Sequence, residues 1–157
     1  MKRKSRGTRY RALLILAAAA LGAVLIMAPI LAQESPKPCC IAGKYKGVRQ
    51  ATSGRCPEPA TEKFTMEIVQ GKKCEADIKG TIVGDSDPSQ VQNFTGTVAP
   101  SATRGCCDIK GKFSGVSETT EFQGTLCRKG GKWVGSGTYK SVREGAVCSG
   151  TWKMSEV

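Results

Sequence analysis

A five-residue pattern, apolar–x–Gly–x–apolar, recurs along this chain. It reads Ile78-Lys79-Gly80-Thr81-Ile82, Phe94-Thr95-Gly96-Thr97-Val98, Ile109-Lys110-Gly111-Lys112-Phe113, Phe122-Gln123-Gly124-Thr125-Leu126 and Cys148-Ser149-Gly150-Thr151-Trp152. Trp133-Val134-Gly135-Ser136-Gly137-Thr138-Tyr139 is a longer version. Period two is a strand period. It puts the apolar residues and the glycines on one face and Lys, Thr, Ser and Gln on the other. Glycine weakens a strand interior unless the sheet bends sharply or backbones approach closely. A glycine on the inner face of strand after strand therefore predicts a tightly coiled sheet, the device that glycine kinks supply in designed barrels. No stretch after residue 32 carries a helical period.

The pattern and its breaks predict eight strands, at 42–50, 63–70, 74–83, 92–99, 106–116, 119–128, 132–141 and 146–154. The links are short and rich in turn residues, as in Gly71-Lys72-Lys73, Gly84-Asp85-Ser86-Asp87-Pro88 and Gly130-Gly131. Short links join antiparallel neighbours. Eight sequential antiparallel strands close into an up-and-down barrel, which removes exposed edges. The fold expected is all-β: a small eight-stranded antiparallel barrel over residues 39–157. The alternative is a two-sheet β-sandwich, for which only the 51–62 loop is long enough to cross over.

The N-terminus sets the compartment. Of 157 residues, the first 32 hold six cations and no acid (Lys2, Arg3, Lys4, Arg6, Arg9, Arg11). An uncharged run from Ala12 to Ala28 follows, ending in Pro29-Ile30-Leu31-Ala32. This is the form of a signal peptide cleaved near Ala32, or of an N-terminal membrane anchor through residues 12–31. Either form places the domain outside the cytoplasm, secreted or periplasmic. Residues 33–38, Gln33 to Pro38, form a linker. From residue 33 on, 18 cations face 13 acids, so most of the +11 net charge is divided between a topology signal and a solvated outer face of Lys44, Lys46, Lys79, Lys110, Lys112, Lys140 and Lys153. Nucleic acid is not an expected partner.

All eight cysteines follow the export segment: Cys39, Cys40, Cys56, Cys74, Cys106, Cys107, Cys127 and Cys148. An even count in a small exported domain predicts disulfides. The close pairs are vicinal and not C-x-x-C, so neither a zinc site nor a redox motif is expected. Barrel topology sorts them by end. Cys56 follows strand one and Cys148 opens strand eight, and these strands become neighbours on closure. Disulfide Cα atoms lie within about 7 Å, so Cys56 is expected with Cys148 and the other six among themselves. A hairpin brings Cys127 near the Cys106-Cys107 pair, and parity favours Cys106.

Gly43-Lys44-Tyr45 opens strand one as a G-x-W motif opens the strand of lipocalin-like and avidin-like barrels, with Tyr45 in place of the tryptophan, and Phe94-Thr95-Gly96-Thr97-Val98 is similar to an inner-wall strand of an avidin-type barrel. The chain thus resembles the calycins over about 42–154. The resemblance implies barrel topology and a ligand held inside.

Inward candidates are Tyr45, Phe64, Met66, Ile68, Ala76, Ile78, Ile82, Phe94, Val98, Ile109, Phe113, Phe122, Leu126, Trp133, Tyr139 and Trp152. An eight-stranded barrel is either filled by side chains or holds one small ligand. The filled form suits so bulky a list. The ligand-holding form is a hydrophobic cup walled by Tyr45, Trp133, Tyr139 and Trp152, with glycines leaving space. The expected function is binding of a small apolar molecule. The alternative is an interaction or inhibitor module acting on an extracytoplasmic protein through its loops. The chain has no histidine, which excludes Ser-His-Asp and Cys-His catalysis. No enzymatic activity, cofactor or metal is expected.

Overall fold

The computed structural model describes residues 37–56, 60–114 and 118–157. Residues 1–32, expected to be a signal peptide or membrane anchor, and residues 33–36 of the expected linker lie outside them. The described chain forms eight antiparallel strands: β1 Gly43–Gly54, β2 Thr61–Gln70, β3 Asp77–Gly84, β4 Val91–Pro100, β5 Cys106–Ser114, β6 Glu118–Lys129, β7 Lys132–Arg143 and β8 Ala146–Glu156. They close in sequence order, with β8 paired to β1. The architecture is the up-and-down barrel, not the sandwich.

Two boundaries differ from expectation for physical reasons. β1 runs on to Gly54, because a bulge between Ala51 and Ser53 lets it follow β8 up to the pair Gly54–Cys148. The 51–62 loop is correspondingly short, with the Ala51 N–H donating to Ala60 O at 2.7 Å. β3 begins at Asp77 and not at 74, because Lys73 and Cys74 turn the chain with φ of 86° and 58°. Ala76 is therefore an exposed turn residue and not an inward one. The β6–β7 and β7–β8 links are two-residue turns, Gly130-Gly131 and Glu144-Gly145, all with positive φ. That is the turn whose twist matches the flanking strands.

Inside, the register sets large side chains against glycines. Gly47 is the cross-strand partner of Phe64, Gly80 of Phe94, Gly111 of Phe122, Gly137 of Trp152 and Gly150 of Tyr139. Each ring lies where its partner's Cβ would be. A Cβ on Gly137 would meet Trp152 Cε2 at 2.6 Å, and one on Gly150 would meet the Tyr139 hydroxyl at 2.6 Å. The space left by these glycines is thus occupied by rings and is not open. Phe94, Phe113 and Phe122 pack together at the centre, with centroids 4.9–5.8 Å apart. Met154 and Ile41 complete the core.

One end of the barrel is plugged. The segment Cys39–Ile41 lies under it, with Cys39 and Ile41 buried. Gln70 grips the segment twice. The Ile41 N–H donates to its Oε1 at 3.0 Å, and its Nε2 donates to Cys39 O at 2.7 Å. The Tyr45 hydroxyl donates to Ile41 O at 2.6 Å, and Trp133 Nε1 donates to Cys40 O at 2.9 Å. Three disulfides hold the same end: Cys39–Cys107, Cys40–Cys74 and Cys106–Cys127. Successive residues of a strand face opposite ways. Cys107 therefore reaches inward to the plug, while Cys106 reaches outward to its cross-strand partner Cys127. The two vicinal pairs join these bridges into one chain through the β2–β3 turn, the plug, β5 and β6.

Candidate functional site

The other end is open. Continuing β1, β2, β6 and β7 past their last large inward residue places a polar residue at the mouth. Arg49 follows Gly47 on β1, and Glu62 precedes Phe64 on β2. Thr120 and Glu118 precede Phe122 on β6, and Ser141 follows Tyr139 on β7. These residues share the inward face because side chains alternate along a strand. Arg49, Glu62, Glu118 and Ser141 line a cavity of about 330 Å³, together with Ser86, Asp87, Gln92, Arg143 and others, while Thr120 borders the smaller space below. Beneath it lies an apolar pocket of only about 40 Å³, lined by Met66, Phe113, Phe122, Trp152 and Met154. Arg49, Phe64, Ile82 and Tyr139 border both spaces.

The polar wall is organised in two clusters. Glu62 is buried, yet Arg49 and Ser86 satisfy it. Arg49 Nε donates to Glu62 Oε2 at 2.7 Å within a salt bridge, and the Ser86 hydroxyl donates to Oε1. Burial alone would raise the Glu62 pKa, but the Ser86 hydrogen bond and the Arg49 charge outweigh it and hold it below the usual range. Gly84 allows this packing, since a Cβ there would strike the Glu62 carboxylate. The second cluster stands on β6 and β7. The Ser141 hydroxyl donates to Glu118 Oε1, and the Thr120 hydroxyl lies 2.9 Å from Ser141 Oγ. Tyr139 stands between the clusters. Burial raises its pKa, Arg49 opposes this, and Glu62 and Glu118 add to it. Its hydroxyl is therefore neutral at ordinary pH, able to donate and to accept.

Of the four aromatic residues expected to wall a cup, the structure brings Tyr139 to the cavity and Trp152 to the small pocket beneath it. It does not bring Tyr45 and Trp133 there. Those two belong to the plugged end, where Tyr45 is fully buried and Trp133 lies under the Arg128 guanidinium at 5.6 Å. Burial, with Glu156 nearby, pushes the Tyr45 pKa up. The expectation that glycines leave space also fails, because the rings fill it. What sequence reasoning missed is the polar wall of Arg49, Glu62, Glu118, Thr120 and Ser141. The signal was present in their parity, one or two steps of two beyond the apolar residues.

No protein-family model matches the chain. None of the curated proteins matches it. Among solved structures, it is similar to that of EF1p2_mFAP2b bound to DFHBI, with a TM-score of 0.52 and 13% identity over 74% of this chain and 92% of that one. At that identity the likeness is one of fold, and it agrees with the calycin-like architecture. Four disulfides in so small a domain are typical of extracytoplasmic proteins. Among the described residues, no helix is long and apolar enough to cross a membrane.

Proposed function

We propose that this is an exported binding protein and not an enzyme, and that it holds a small molecule in the open mouth of its barrel. The observation that carries this reading is the asymmetry of the interior. One end is filled and stapled, while the other keeps a cavity of about 330 Å³ with convergent polar groups above a small apolar floor. That size lies at the lower edge of the ~300–1,000 Å³ range of small-molecule sites. The ligand rests an apolar part on Phe64, Ile82 and Tyr139 and turns its polar groups to the wall. The similar solved structure is described as bound to DFHBI, which supports a bound small molecule in a barrel of this kind.

The filled lower interior favours a second reading, a rigid scaffold whose mouth loops bind a protein. Loops on rigid scaffolds commonly carry function. Native mass spectrometry of the protein purified from its own host separates the two. A bound small mass supports the first reading. A bare barrel that co-purifies with a partner protein supports the second and removes the first.

A further inference from the structure

We infer that the mouth takes a neutral saccharide ring. The inference rests on the mouth being a ligand site, and it names the ligand's chemistry. The wall carries two guanidiniums, Arg49 and Arg143, and three carboxylates, Glu62, Glu118 and Asp87, the last accepting from the Ser89 N–H and hydroxyl. Arg49 is held by Glu62, and Arg143 is the cross-strand neighbour of Glu118. An anion entering this wall meets more carboxylate than guanidinium charge, and a cation finds the one excess carboxylate, Asp87, already hydrogen-bonded by Ser89, so a neutral ligand avoids the desolvation that either charge would cost. A long alkyl chain is excluded by size, since the apolar space below is only about 40 Å³.

What the wall offers is donors and acceptors in alternation around one aromatic ring. The Tyr139 hydroxyl and the Gln92 amide each donate and accept. Glu118 takes its hydroxyl bonds through Oε1, leaving a second carboxylate oxygen. The Arg49 guanidinium has five N–H groups, more than the Glu62 contact uses. A sugar hydroxyl also donates one bond and accepts others, so it is matched by such an alternating set and poorly matched by a wall of one kind. The C–H face of the ring packs on the Tyr139 ring, and a cavity of about 330 Å³ suits one ring better than an extended oligomer.

The test is isothermal titration calorimetry on the exported, disulfide-intact protein. The probes are the methyl glycosides of glucose, galactose and N-acetylglucosamine, with butylamine and butyrate as charged probes and N-phenyl-1-naphthylamine as an uncharged apolar one. The inference expects at least one glycoside to bind better than every other probe. It also expects Gln92→Ala and Tyr139→Phe to weaken that binding about five- to tenfold, the loss of one hydrogen bond each, while Lys153→Ala on the outer face leaves it unchanged. Tighter binding of a charged or apolar probe overturns the saccharide inference and leaves the mouth as a binding site. Silence from every probe overturns the inference, and if no small mass is found on the protein from its host, the binding reading falls as well.

Discussion

The two ends of this barrel are built from the same strands and do opposite things. At the plugged end, polar atoms serve closure. Tyr45, Trp133 and Gln70 spend their hydrogen bonds on the backbone of Cys39–Ile41, and three disulfides lock the result. At the open end, polar atoms bond to one another across neighbouring strands and leave a cavity between them. The difference teaches that an inward aromatic is not by itself a ligand contact. Whether it closes the barrel or lines a site depends on which end of its strand it occupies.

The largest effect expected concerns the one bridge at the open end. Cys56–Cys148 links residues 92 positions apart. A closed loop of that size restrains the unfolded chain by ~4–5 kcal/mol in the entropy model. Replacing both cysteines with serine is expected to lower the denaturation midpoint substantially with strand content unchanged by circular dichroism. Survival of most of the stability would show that the three bridges of the plugged end suffice for the whole barrel.

Next comes a direct contest between two aromatics. Trp133→Ala is expected to cost about 3–5 kcal/mol in urea unfolding, as for other buried tryptophans. Tyr139→Ala is expected to cost clearly less, since Tyr139 is only half-buried and borders existing empty space. Equal costs would erase the distinction between the ends.

A smaller loss is expected from Gly137→Ala, about 1–3 kcal/mol from overpacking against Trp152 and the Gln123 carbonyl. Thermal melts measure it. A neutral result would mean that the Trp152 ring is free to move aside, and the floor of the cavity would then be deeper than its resting volume.

How far the sequence carried the argument follows from the same residues. Period two around Gly80, Gly96, Gly111 and Gly124 is local, and it led to strands, closure and the end to which each cysteine belongs. The fit of Trp152 over Gly137, or Tyr139 over Gly150, depends on cross-strand register, which no single strand encodes. The glycines therefore looked like empty space. The plug was illegible for another reason: Ile41 lies before the first strand, where no period marks it. Arg49 and Glu62 were legible by parity but were passed over because the inward face was traced by its apolar members.

The smallest effect is in pH. Glu62 has a folded pKa below its unfolded value. Its contribution is complete above the unfolded value, about 4.3, where both states are ionised. It declines as pH falls further, because the unfolded chain takes the proton first. Wild-type protein is therefore expected to lose stability below about pH 4 more steeply than Glu62→Gln, as read by denaturation midpoints across pH. Parallel curves would show that Arg49 and Ser86 do not hold the carboxylate as described.

The central claim is that only the open end receives a ligand. Two-dimensional NMR of the labelled protein during addition of a ligand found on the protein from its host tests it most directly. The account predicts shifts at Arg49, Gln92, Tyr139 and the Trp152 indole, with the Trp133 indole and the Ile41 amide unmoved. Shifts centred on Trp133, Tyr45 and Ile41 would contradict it, because they would place the ligand at the end the plug and its three disulfides close.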